Sequence, residues 1–116
     1  MLHFERGLPT YAEPVSVSDL KEGEIYFSVQ FADEALLLPM METLVFTGRS
    51  VGEGGSAILY FQDLSSYQLG IERGSPHNEG AVFYAQNEQN LNHIFEYDYA
   101  LDGLIKCALR RREAQS

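Results

Sequence analysis

The sequence predicts a mainly β domain: a small, strongly bent antiparallel sheet or partly open barrel, followed by a C-terminal helix. Three observations predict it. Residues 24–31, Glu-Ile-Tyr-Phe-Ser-Val-Gln-Phe, put Ile25, Phe27, Val29 and Phe31 on one side of an extended chain and Glu24, Tyr26, Ser28 and Gln30 on the other, the two-residue period of a half-buried strand. Further short runs rich in aromatic and aliphatic residues follow at 43–47, 57–61, 81–85 and 94–97, separated by segments of Gly, Pro, Asn and Ser that punctuate strands. Beyond residue 98 the spacing changes, and Leu101, Leu104, Ile105, Ala108 and Leu109 fall at helical intervals.

At 116 residues the chain reads as one domain with its own core. Residues 1–22 contain Gly7, Pro9 and Pro14 without clear periodicity and read as an irregular N-terminal arm, with at most a short extended piece at 15–17. Residues 23–97 carry the sheet. The strand at 24–31 is expected to bury its four apolar residues and expose Glu24, Ser28 and Gln30. Ala32, Asp33 and Glu34 then make a turn, after which Leu36, Leu37 and Leu38 resume an apolar run. Pro39 lacks the N–H that a ladder needs and marks an edge or bend before the strand at 43–47. Residues 48–55, Gly-Arg-Ser-Val-Gly-Glu-Gly-Gly, read as a flexible connection. The next strand, 57–61, has apolar residues on both faces and so a central position. Asp63, Ser65 or Ser66 can cap a short helical turn that Gly70 ends.

Residues 98–112 are the ambiguous element. The apolar spacing and the arginines at the C-terminal end favour a helix, with Asp98 as a cap. Against this, Asp102-Gly103 is a strong hairpin signal, and glycine within a helix costs about 1 kcal/mol relative to alanine. A hairpin leaves neither face coherently apolar, so the helix is the expectation, with Cys107 pointing away from its apolar stripe. The order of elements resembles the small Src-homology-type (SH3-like) barrel, extended by an arm and a helix. The resemblance rests on spacing alone and implies no function.

Composition excludes several classes. With 45% hydrophobic residues the chain is not of the disordered class, and it has no apolar run of the ~18 residues that a membrane-spanning helix needs. The N-terminus does not read as a secretory signal, and Cys107 is the single cysteine, which suits a cytoplasmic protein without disulfides. The formal net charge is −9, unevenly spread: residues 1–105 hold 4 basic against 16 acidic residues, net −12, whereas residues 106–116 hold Lys106, Arg110, Arg111 and Arg112 against Glu113, net +3. Affinity for nucleic acid comes largely from cations that neutralise phosphates, so nucleic acid is not an expected partner of the acidic body. The arginines read as the end of a helix, complementing its dipole.

No residue pattern points to catalysis, a metal or a cofactor. The glycines at 48–55 lack the following Lys and Ser or Thr of a phosphate loop. His3, His77 and His93 show no ligand spacing. Cys107 has only Lys106 beside it to activate a thiolate. The tyrosines stand out instead, because tyrosine offers apolar area with a hydroxyl that tolerates water. Tyr26, Tyr60 and Tyr84 are the candidates for an interface.

The expectation from sequence is therefore a non-enzymatic, acidic interaction domain in the cytoplasm, a homodimer that presents tyrosines to a basic protein partner. An inhibitor or immunity-type protein that masks a basic toxin fits that description. The alternative is a small-molecule-binding protein or small enzyme, with a pocket between the sheet and the C-terminal helix and His93, Glu96 and Asp98 as its polar groups.

Overall fold

The computed structural model describes residues 14–74 and 80–115. Strand β1 (Ile25–Phe31) pairs antiparallel with β2 (Pro39–Val51), β2 with β3 (Ala57–Asp63), and β3 with β4 (Phe83–Asn87). A short strand, β5 (Ile94–Phe95), comes back to the other side of β1, opposite Phe27 and Ser28, so the order is β4-β3-β2-β1-β5. The edge strands β4 and β5 are not bonded to each other. The sheet is open, and of the two predicted forms the bent sheet is the one adopted.

Two α-helices complete the fold among the described residues, α1 (Leu64–Gln68) and α2 (Tyr97–Gln115). Asp63 caps α1 as expected, with Oδ2 accepting from the Ser66 N–H at 3.0 Å and Oδ1 from the Ser66 hydroxyl at 2.5 Å and the Val82 N–H at 2.8 Å. Desolvation raises the Asp63 pKa, but these hydrogen bonds to the carboxylate outweigh it and leave the group below its ordinary value. Gly70, at φ 75°, ends the turn in a conformation that side chains rarely adopt.

The sheet carries apolar clusters on both faces, and this corrects the reading of β1. Tyr26, Leu44, Phe46, Leu59, Phe61 and Ile94 form one cluster, joined by Val15 and Leu20 from the N-terminal arm and by Leu91. On the reverse face Val29, Phe95 and Ala100 cluster, with Phe27, Phe31, Tyr99 and Leu104 packed around them beneath α2. The period of two is real, but the side predicted to face solvent holds the larger core. Tyr26 is only 3% exposed, and its hydroxyl accepts from the Lys21 N–H at 2.9 Å and donates to the Asp19 carbonyl at 3.3 Å. Ser28 is also buried, whereas Ile25, predicted to be in the core, is 45% exposed. Phe27 and Phe31 are half-buried, and Glu24 and Gln30 are exposed as expected.

Three further elements depart from expectation for local reasons. Residues 48–51 continue β2 through a bulge between Phe46 and Gly48 instead of forming a loop. Arg49 holds them there, donating to the Leu20 carbonyl at 2.8 Å with its guanidinium 5.2 Å from the centre of the Phe46 ring. Residues 32–38 form an irregular loop before β2, because the Asp33 carboxylate accepts from the backbone N–H groups of Leu37 and Leu38 at 3.0 and 2.8 Å and so diverts them from a ladder. The helix prevails over the hairpin at 97–115, but its sheet-facing stripe is Tyr99, Ala100, Gly103, Leu104 and Cys107. Ala100, Gly103 and Cys107 are small and let the helix lie close to β1 and β5. Cys107 is accordingly 2% exposed, while Leu109 of the predicted stripe is 47% exposed.

The difference between the faces has a measurable consequence. Phe46 is fully buried, so Phe46→Ala is expected to cost about 3 to 5 kcal/mol through lost transfer energy and a cavity. Phe27→Ala, at a half-buried position, is expected to cost clearly less. Urea unfolding of the two variants checks the order, and equal losses would place the main core on the wrong face.

Candidate functional site

The curl of the sheet brings side chains from every strand around one depression of about 90 Å³. Ser28 and Gln30 come from β1, Glu42 and Leu44 from β2, Phe61 from β3, Tyr84 and Gln86 from β4, and Ile94 from β5, with His93 immediately before it. Edge strands at opposite ends of the order share this site. Leu44, Phe61 and Ile94 are buried and make its floor, and the polar side chains make its walls.

The position of Glu42 follows from strand alternation. Met40, Glu42, Leu44 and Phe46 occupy every second place in β2, so Glu42 extends the row that lower down fills the core. Tyr84 lies opposite Phe61 in the β3–β4 pairing, and its phenol reaches over β3 to donate to both carboxylate oxygens of Glu42, at 2.8 and 2.9 Å. Burial first, then the hydrogen bond and negative charge of Glu42, push the Tyr84 pKa up to about 12. Burial also holds the His93 pKa below its ordinary value, which disfavours the charged imidazolium. No Lys or Arg lines the depression.

The exposed Glu42 carboxylate and the Tyr84 phenol meet over an apolar floor, with Gln30, Gln86 and His93 among the polar residues of the walls. Nucleophilic catalysis is a poor match even though Ser28, His93 and Glu42 share the site. A relay needs the base bonded to the nucleophile, yet the His93 imidazole meets Asn92 Oδ1 at 3.5 Å through Nδ1, and Glu42 is bonded to Tyr84.

The residues singled out in the sequence are dispersed. Tyr84, an interface candidate, and His93, a ligand candidate, meet here. Tyr26 is in the core and is not a surface residue. Tyr60 is on the opposite face, bonded to the Ser50 hydroxyl at 2.9 Å and covered by the Arg73 guanidinium 4.7 Å from its ring centre. The three tyrosines thus form no common patch. Glu96 is exposed beside Lys21 and Glu24. Asp98 lies in the first turn of α2, where its Oδ1 accepts from the Tyr99 N–H at 3.1 Å and its charge suits the helix dipole. A crevice of about 240 Å³ does exist between α2 and the sheet, but Lys106, Arg110 and Asn92 are polar residues in its lining, not His93, Glu96 or Asp98.

His3 and His77 lie outside the described residues, and among those described no group of three or more His, Cys, Asp and Glu could hold a metal ion. No helix among the described residues is long and apolar enough to cross a membrane. Compared with models of protein families, with curated proteins and with solved structures, the chain gives no match.

The Tyr84 bond to Glu42 can be followed by alkaline titration. A tyrosine whose folded pKa is about 12, against about 10 when unfolded, contributes stability that is intact below pH ~10 and lost as pH rises toward ~12. One of the phenols should ionise late by ultraviolet difference absorption, and Glu42→Gln should bring it back toward the others. An unchanged titration in that variant would remove Glu42 as a cause of the shift.

Proposed function

We propose that this protein is a non-enzymatic binding domain whose Glu42–Tyr84 depression receives a lysine or arginine side chain from a basic protein partner. The observation that supports the reading most directly is the hydrogen-bonded Glu42 carboxylate set over an apolar floor, at a site that all five strands help build and no Lys or Arg lines. The acidic body, net −12 over residues 1–105, adds long-range attraction that raises encounter rates with basic surfaces. The same charge disfavours nucleic acid as a partner. Masking of a basic protein, as by an inhibitor or immunity-type protein, is the form of this function that the charge suits best. A cytoplasmic setting fits a chain whose single cysteine, Cys107, is a buried thiol.

Net charge alone attracts basic peptides, so the test must separate the site from the field. Fluorescein-labelled hexa-arginine and hexa-lysine peptides, titrated by fluorescence anisotropy, are the probes. Glu42→Gln is expected to weaken binding about tenfold, as loss of a charge-assisted contact worth roughly 1.5 kcal/mol requires. Glu53→Gln, in the exposed turn Glu53–Gly55, removes the same charge away from the site and should have less than a twofold effect, by roughly the worth of one screened surface charge. Equal losses in the two variants would reduce the interaction to net charge and sink the proposed site.

A further inference from the structure

The crevice beneath α2 has the opposite chemistry to the Glu42 depression and lies on the other face of the sheet. We propose that it is a second binding site, for a small amphipathic carboxylate whose apolar part lies between α2 and β1 and whose carboxylate meets Lys106 and Arg110.

The crevice measures about 240 Å³ and is walled by Val29, Phe31 and Phe95 of the sheet and by Ala100 and Gly103 of the helix. Gly103 adds no side chain to the helix wall of the crevice. Lys106 and Arg110 follow Gly103 at intervals of three and four residues, so the two cations stand one above the other on the turns that continue the same helix face. No acidic residue lines the crevice. In a chain with four times as many acidic as basic residues before position 106, a lining with two cations and no anion is a local inversion of charge that selects an anionic ligand.

The head-group end is also fixed in place. Arg110 donates from Nε to the Leu36 carbonyl at 2.9 Å, and its guanidinium carbon is 5.3 Å from the centre of the Phe31 ring. This bond uses Nε and orients the guanidinium plane, a geometry suited to the paired oxygens of a carboxylate. Leu36, which lines the same crevice, is the one non-glycine residue with positive φ among the described residues, at 60°. Backbone held in a disfavoured conformation by its surroundings is a frequent mark of a binding site. An apolar cleft with a few placed polar groups is the usual form of a small-ligand site.

The test is a nuclear magnetic resonance titration of the full ¹⁵N-labelled chain with sodium hexanoate, using hexanol and hexylamine as matched ligands without the negative charge. Hexanoate is expected to give saturable shifts at the amides of Val29, Phe95, Ala100 and Gly103, with hexanol binding at least about tenfold more weakly and hexylamine giving none there. Lys106→Glu should weaken hexanoate by about tenfold while leaving the dispersion of the spectrum unchanged, and Glu53→Gln, in the exposed turn Glu53–Gly55, should change it less than about twofold. A fold change of ten corresponds to about 1.4 kcal/mol. Hexanol binding as well as hexanoate, or no saturable shift at these amides, would overturn the proposal.

Discussion

The pairing of the two-residue strand β5 with β1 is the constraint on which the rest of the molecule depends. Opposite Phe27 and Ser28 sit Phe95 and Ile94, the Val29 N–H donates to the His93 carbonyl at 2.9 Å, and the Val15 N–H donates to the Ile94 carbonyl at 2.9 Å. Because adjacent side chains on a strand point to opposite faces, this short ladder sends Ile94 into the main core and Phe95 under α2. It ties the arm, the first strand and the helix to one line of backbone. Both candidate sites follow from it, since the Glu42 depression needs His93 and Ile94 on one face and the crevice needs Phe95 on the other.

A sheet with both faces covered must find apolar residues for each, and the chain does so unevenly. The main core is made mostly of large side chains from the three central strands, whereas the α2 side relies on small helix residues that bring the backbone close to the sheet. One polar side chain that enters the interior is held by two acceptors. Gln62, buried opposite Val45, donates to the Ser66 hydroxyl and the Ile71 carbonyl, both at 2.8 Å. Those bonds fasten α1 and the segment after it to β3, which avoids the cost of a buried amide without acceptors.

Much of this was legible in the residues, and what was not has identifiable causes. The alternation at 24–31 located β1, and the Asp63 cap and the terminal Gly70 located α1, because each depends on local chemistry alone. That the larger core lies on the Tyr26 face of β1 is hidden in the sequence because tyrosine and serine read as outward residues, although a tyrosine whose hydroxyl finds the Asp19 carbonyl and the Lys21 N–H buries its ring at little cost. The rotation of the α2 stripe had a similar origin. Counting large aliphatic residues favoured Leu101, Ile105 and Leu109, but close approach to a sheet selects Ala100, Gly103 and Cys107. Tyr84 and His93 were legible as individuals, while their meeting was not, because it depends on the curl that brings β4 and β5 together. Glu42 was missed, although an acid in the inward row of a central strand was a signal open to sequence reading.

The distribution of charge ties the two sites to the fold in a way that net charge conceals. The basic tail was read as the end of a helix, and Arg112 does lie in the last turn of α2, where a cation suits the dipole. Arg110 does something else, since its bond to Leu36 and the contact of the Cys107 sulfur with the Leu37 carbonyl at 3.8 Å hold the β1–β2 loop against the helix. That loop sets where β2 begins, and β2 in turn carries Glu42. The sheet between the two faces keeps the carboxylate of one site from neutralising the cations of the other, and at physiological ionic strength charges farther apart than about 8 Å are largely screened where solvent reaches them. Opposite charges can therefore coexist on one small domain, because the same strands that separate them also position them.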